Sequence, residues 1–183
     1  MGDLTLYNQY RDKMKTGDML LWANQTLLGE AIRRVSKATV NHASSIAVLK
    51  GYDEPRVFTV EALEKGVVVN YLSSVLADYK GEVWWYPLSD KWDFDEFRAY
   101  VERNMFRHVG IGYDYASLLK NAVTHVQADD NRLFCSEEVF LSYGFTGTAP
   151  TPGEMPALGL HKEPVQIIKL PDPVEYDRPE HGM

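Results

Sequence analysis

Residues 41–71, NHASSIAVLKGYDEPRVFTVEALEKGVVVNY, hold three short runs rich in β-branched residues, separated by turn-forming links. The first covers 43–49 and closes at Gly51-Tyr52-Asp53, the second covers 57–63, and the third covers 67–71 across Glu64-Lys65-Gly66. Runs of this length joined so tightly are expected to pair in order as an antiparallel meander. Upstream, Thr16-Gly17-Asp18 is a turn signal and Met19-Leu20-Leu21-Trp22 after it starts a first strand. Between that strand and the meander, residues 25–37 place Leu27, Leu28, Ala31, Ile32 and Val35 at helical spacing, with Arg33, Arg34 and Lys37 in the last turns. Downstream, Val83-Trp84-Trp85-Tyr86 adds a strand that stops at Pro87.

The second half changes character. Residues 94–106 put Phe94, Phe97, Val101 and Met105 on one helical face, and 115–126 do the same with Leu118, Leu119, Ala122 and Val126. A helix is predicted over 135–143, ending at Gly144, with a short one opening at Thr151-Pro152-Gly153-Glu154 and a last strand over 165–170. Strands grouped first and helices later, without regular alternation, predict an α+β fold with an antiparallel sheet.

Composition bounds the function. The 183 residues are 45% hydrophobic and 25% charged, the profile of one domain with a proper core, expected over 1–170. Residues 171–183 crowd Pro171, Pro173 and Pro179 among Asp172, Glu175, Asp177, Arg178 and Glu180, and read as a loose tail. A net charge of -7 lacks the field a phosphate backbone rewards, which removes nucleic acid as a partner. No stretch approaches the roughly 20 apolar residues of a membrane span, and no basic cluster with an apolar run opens the chain. The expectation is a cytoplasmic protein without a transmembrane segment. A single cysteine excludes an internal disulfide. With no Cys pair and no His-Glu-x-x-His spacing, neither a metal nor another cofactor is expected.

That cysteine is Cys135. Ser136-Glu137-Glu138 after it fits a helix first turn, so the thiol stands at a helix N-terminus, where its pKa falls and backbone N–H groups face a developing oxyanion. Two readings stand: a nucleophile, or a small buried core residue. The glutamates would oppose a thiolate if they faced the sulfur. A nucleophilic thiol needs a base, and histidine is the usual one. Among the five histidines, His181 lies in the tail, His161 in a Gly/Pro-flanked loop, and His108 and His125 near helix ends. His42 opens the first meander strand and projects from a rigid element; it is either that base or a structural strand-edge residue. Glu61 is the one acid in the second run. It is either the acceptor that orients the imidazole or a residue turned to solvent by strand alternation.

Gly17-Asp18-Met19-Leu20-Leu21, Asn41-His42-Ala43-Ser44-Ser45-Ile46-Ala47-Val48, Val60-Glu61-Ala62 with Gly66-Val67, Tyr113-Asp114 and Phe134-Cys135-Ser136-Glu137 together resemble the permuted papain-like cysteine hydrolases. These form the YiiX-like branch of the NlpC-type superfamily, which also holds lecithin retinol acyltransferase-like enzymes. The resemblance spans roughly residues 16–158. It implies a circularly permuted papain-like fold, in which a small antiparallel sheet carries the histidine strand ahead of the nucleophile helix. It also implies Cys135 as nucleophile, His42 as base and Glu61 as the orienting residue. Tyr113 falls where the family often has a tyrosine near the site, and Ser136 follows the nucleophile; both become candidates for the pocket or the oxyanion hole. The departures are the helix before the histidine strand and Asn41 in place of a small or hydroxyl residue.

The leading expectation is a cysteine hydrolase of amide or ester bonds. The resemblance implies cell-wall-type peptides with γ-linked or D-amino acids, or lipid acyl groups, as substrates. The alternatives are an acyltransferase or phospholipase-like enzyme with the same triad, a binding module without catalysis, and, last, a zinc site built on His42 and Glu61.

Overall fold

The computed structural model describes residues 3–24, 39–51, 53–113 and 132–170. The helices expected over 25–37 and 115–126 and the tail over 171–183 lie outside the described residues, as do His125 and His181.

Six strands form one antiparallel sheet: β1 (Met19–Asn24), β2 (His42–Leu49), β3 (Arg56–Leu63), β4 (Gly66–Tyr71), β5 (Gly81–Tyr86) and β8 (Val165–Ile168). Their order is β4-β3-β2-β1-β5-β8. The expected meander is therefore present as β2-β3-β4, and β1 joins it to β5. The described helices are α1 (Thr5–Tyr10), α2 (Leu72–Asp78), α3 (Asp95–His108) and α4 (Cys135–Ser142). A two-residue parallel bridge pairs β6 (Gly112–Tyr113) with β7 (Arg132–Leu133) just before α4. The fold is thus α+β, and its antiparallel sheet takes in the six strands expected from the sequence, more than the small sheet that the resemblance implied. The segment after Thr151-Pro152-Gly153 forms a single 3-10 turn over Met155–Leu158, started where Glu154 accepts from both the N–H and the hydroxyl of Thr151 at 2.8 Å. Among the described residues no helix is long and apolar enough to cross a membrane.

Both faces of the sheet are covered. Met19, Leu21, Ala43, Ala47, Val60 and Val67 pack with Val101 and Met105 of α3 and Val139 of α4. Leu20, Trp22, Ile46, Val57 and Val83 pack with Tyr7 of α1 and Leu72 and Leu76 of α2. Strands enclosed on two sides carry apolar residues on both faces and do not alternate; 43–49 and 57–63 fit this apart from Ser44, Ser45, Thr59 and Glu61. Neither α1 nor α2 shows in the sequence as an amphipathic run, because six or seven residues are too few for a period to declare itself. On α3, Val101 and Met105 are buried as expected, while Phe94, its N-cap, is 45% exposed.

Asp18 anchors the near end of β1. Its carboxylate, 1% exposed, accepts from the Lys15 N–H (3.0 Å), the Trp85 indole (2.9 Å), the Leu88 N–H (3.2 Å) and Arg98 Nη1 (3.0 Å). Burial pushes its pKa up, and the Arg98 charge and these donors counter that. Arg98 also donates to the Thr16 carbonyl and to Asp93, so one guanidinium ties α3 to the turn before β1. Gly17 allows that turn, with φ at +90°. The Tyr143 hydroxyl bonds both the Gly17 carbonyl (3.0 Å) and His161 Nε2 (2.9 Å), drawing the end of α4 to the same place.

Removing one partner of a buried ion pair leaves an uncompensated charge. Arg98→Met is expected to lower unfolding stability by about 3–5 kcal/mol, whereas Lys15→Ala, which deletes only the exposed Lys15–Asp93 pair, costs less than about 1 kcal/mol. Urea unfolding midpoints measure both, and equal losses would remove Asp18 from its anchoring role.

Candidate functional site

Pairing of β2 with β3 runs from Leu49–Arg56 to Ser45–Val60 and stops there. Each strand continues with its other neighbour: β2 stays on β1 as far as His42 opposite Trp22, and β3 stays on β4 as far as Leu63 opposite Gly66. The two strands part over 42–44 and 61–63. Into that parting α4 directs its first residue, Cys135.

His42 Nε2 lies 3.0 Å from Glu61 Oε2. The ring also hydrogen-bonds Cys135, and with Nε2 taken, Nδ1 is the nitrogen left for the sulfur. Two backbone N–H groups donate to the same sulfur, those of Ala43 and Ser136. Ile46 bonds back to β1 through its N–H to the Asp18 carbonyl, so alternate residues, Ala43 included, turn their N–H toward β3. Where the β2–β3 ladder has ended, the Ala43 N–H is free to serve the sulfur. Ser136 N–H comes from the first turn of α4, where helical N–H groups have no partner within the helix.

The electrostatics follow from these contacts. Burial disfavours an imidazolium, but the hydrogen bonds and charges of Cys135 and Glu61 outweigh it and push the His42 pKa up to about 10. Burial also works against a thiolate at Cys135, 1% exposed, yet His42 and the two N–H donors bring the thiol below its ordinary value. Both shifts favour a thiolate beside an imidazolium over the neutral pair. The glutamates after Cys135 are spent elsewhere. Glu137 accepts from the Phe134 N–H at 3.3 Å. Glu138, fully buried, accepts from Ser142 at 2.8 Å and reaches Ser45 and His108 at 3.5 Å.

The structure thus brings Cys135, His42 and Glu61 together. Glu61 is 4% exposed, so the alternation that would have turned it to solvent does not hold in a sheet covered on both faces. The Ser136 hydroxyl is not available to a ligand: it donates to the Pro150 carbonyl at 2.7 Å, and only the backbone N–H faces the site. Tyr113 pairs through its backbone with Leu133, two residues before Cys135, and its side chain lies outside the described residues. His108 and His161 do not join the site; they pair with Glu138 and Tyr143. Sequence reasoning missed the Ala43 N–H, which only the strand register reveals. It also missed Asn70, whose Nδ2 donates to Glu61 Oε1 at 3.3 Å; the signal was an amide closing the run Val67-Val68-Val69. Trp22, which the sequence places only in the first strand, lies beside the His42 ring, 6.1 Å between centroids.

The chain matches no protein-family model and no curated protein by sequence. Its fold is similar to that of a solved structure. That structure is yiiX from Escherichia coli O157:H7, described as a metalloprotein of DUF1105, with a TM-score of 0.57 and 21% identity over 70% of this chain. The match spans 64% of the yiiX chain, and at that identity the likeness is one of fold. Among the described residues no group of three or more His, Cys, Asp or Glu side chains converges so as to hold a metal ion. His42, Glu61 and Cys135 are instead bonded to one another in series, an arrangement suited to moving a proton.

A small neutral electrophile such as iodoacetamide is expected to alkylate Cys135 at a rate that persists as pH falls below the usual thiol range, because the reactive form is the thiolate. In His42→Ala the cation is gone and burial alone raises the thiol, so the rate drops and its profile moves to higher pH. Superimposable profiles in the two proteins would refute the ion pair.

Proposed function

We propose that the protein is a cysteine hydrolase that cleaves an amide or ester bond through an acyl-enzyme on Cys135. The observation that carries this is His42 held between Cys135 and Glu61, with backbone N–H groups on the sulfur. The chain order adds support: the histidine strand precedes the cysteine helix, and that helix packs against the histidine strand, as in a permuted papain-like arrangement. The likeness in fold to yiiX agrees with the same grouping.

In this reading the Cys135 thiolate attacks the substrate carbonyl. The developing oxyanion meets N–H groups at the start of α4. His42, already protonated, gives its proton to the leaving amine or alkoxide as the carbon–heteroatom bond breaks. Neutral His42 then takes a proton from water, whose oxygen attacks the thioester, and the thiolate leaves to restore the ion pair. Glu61 holds the imidazole through Nε2 and stabilises its cation, so that Nδ1 stays aimed at sulfur. The word metalloprotein belongs to yiiX. Among the described residues the donor set does not fit a metal.

The substrates favoured are cell-wall-type peptides with γ-linked or D-amino acids. Incubation with a panel of such peptides and with acyl esters, followed by intact-mass analysis, is expected to reveal an acylated Cys135 and turnover of at least one member. Cys135→Ala should abolish turnover, and Glu61→Gln should lower it by up to about 10⁴-fold, the loss on neutralising a residue that orients the base. Undiminished turnover in Cys135→Ala would overturn the proposal.

A further inference from the structure

Glu61 has two carboxylate oxygens and the triad uses one. Oε2 faces His42, and Oε1 accepts from Asn70 Nδ2. The amide must present its nitrogen there, since a carboxylate offers no proton for Oδ1 to accept. Asn70 belongs to β4, the outer strand of the sheet, where Thr59 faces Asn70 and Glu61 faces Val68. Asn70 is therefore the diagonal neighbour of Glu61 on the same face, within reach of a side-chain bond. Asparagine is a poor strand former, and after three valines it weakens the run it ends. An apolar residue would suit the strand better; what the amide adds is one hydrogen bond, made to the acid behind the base.

We propose that Asn70 is a positioning residue that clamps the Glu61 carboxylate by Oε1, so that Oε2 stays on His42 Nε2 and the imidazole keeps its other nitrogen on Cys135. The role rests on the cysteine-hydrolase reading of the site. Without the clamp the carboxylate turns about its terminal torsion, a broad one with no sharp wells. The direction of the His42 ring then loosens with it. The Cys135–His42–Glu61 series thereby extends to Asn70 on a third strand, and the relay is anchored on β2, β3 and β4 together.

The test follows iodoacetamide alkylation of Cys135 from pH 5 to 9 in the full chain, in Asn70→Val, Asn70→Gln and His42→Ala, with thermal unfolding recorded for each. Asn70→Val suits the strand and is expected to unfold at or above the native temperature while alkylating about tenfold more slowly near pH 6, with its profile moved to higher pH. That factor matches part of one hydrogen bond to a charged group. Asn70→Gln keeps an amide donor and is expected to recover most of the native rate. A purely structural residue would move the unfolding temperature and leave the pH profile alone. If Asn70→Val follows the native profile while His42→Ala does not, or if Asn70→Gln is as slow as Asn70→Val, the clamp is refuted and the hydrolase reading stands. If His42→Ala itself matches native, both fall.

Discussion

The end of the β2–β3 ladder at Ser45–Val60 is the constraint from which the site follows. Had the strands stayed paired, the Ala43 N–H would be engaged in the sheet. The parting instead leaves that N–H for a sulfur and admits the first turn of α4. It persists because neither strand is abandoned: β1 holds β2 and β4 holds β3 through the same residues. An opening inside a sheet is costly when polar backbone is left without partners, and here the Cys135 sulfur supplies one.

Around that opening the buried acids are kept apart by assignment. Asp18, Glu61, Glu137 and Glu138 are all essentially buried, and each has its own donors. Asp18 takes Arg98, Glu61 takes His42 and Asn70, Glu137 takes the Phe134 N–H, and Glu138 takes Ser142 with Ser45 and His108 nearby. A carboxylate at position 137 or 138 turned to the sulfur would raise the thiol by repulsion. Bonding both elsewhere removes that repulsion from the helix start that carries Cys135.

Much of this was legible in the sequence because it depends on short-range pattern. The three meander runs, the strand ending at Pro87 and the helix that starts at Cys135 follow from β-branched content and turn residues at fixed offsets. Cys135, His42 and Glu61 stood out as reactive types at otherwise apolar positions, and the family resemblance set them in order. Other features were not legible because they depend on who lies opposite whom. Glu61 was ambiguous by alternation, and only the covered second face decides it. The Ser136 hydroxyl looked free until Pro150 came alongside, and Asn70 gains meaning only from a diagonal across two strands. The histidines at 108 and 161 likewise found partners distant in sequence.

The bond from Ser45 to Glu138 joins residues 93 apart in the chain, one turn along α4 from the cysteine and three residues along β2 from the histidine. A contact of that separation requires a long loop to close. An unfolded or partly made chain therefore carries Cys135 as an ordinary thiol, with no cation beside it and no N–H groups on it. On the proposed reading, the activated thiol comes into being only with the finished tertiary structure, and the chain is synthesised with an ordinary one.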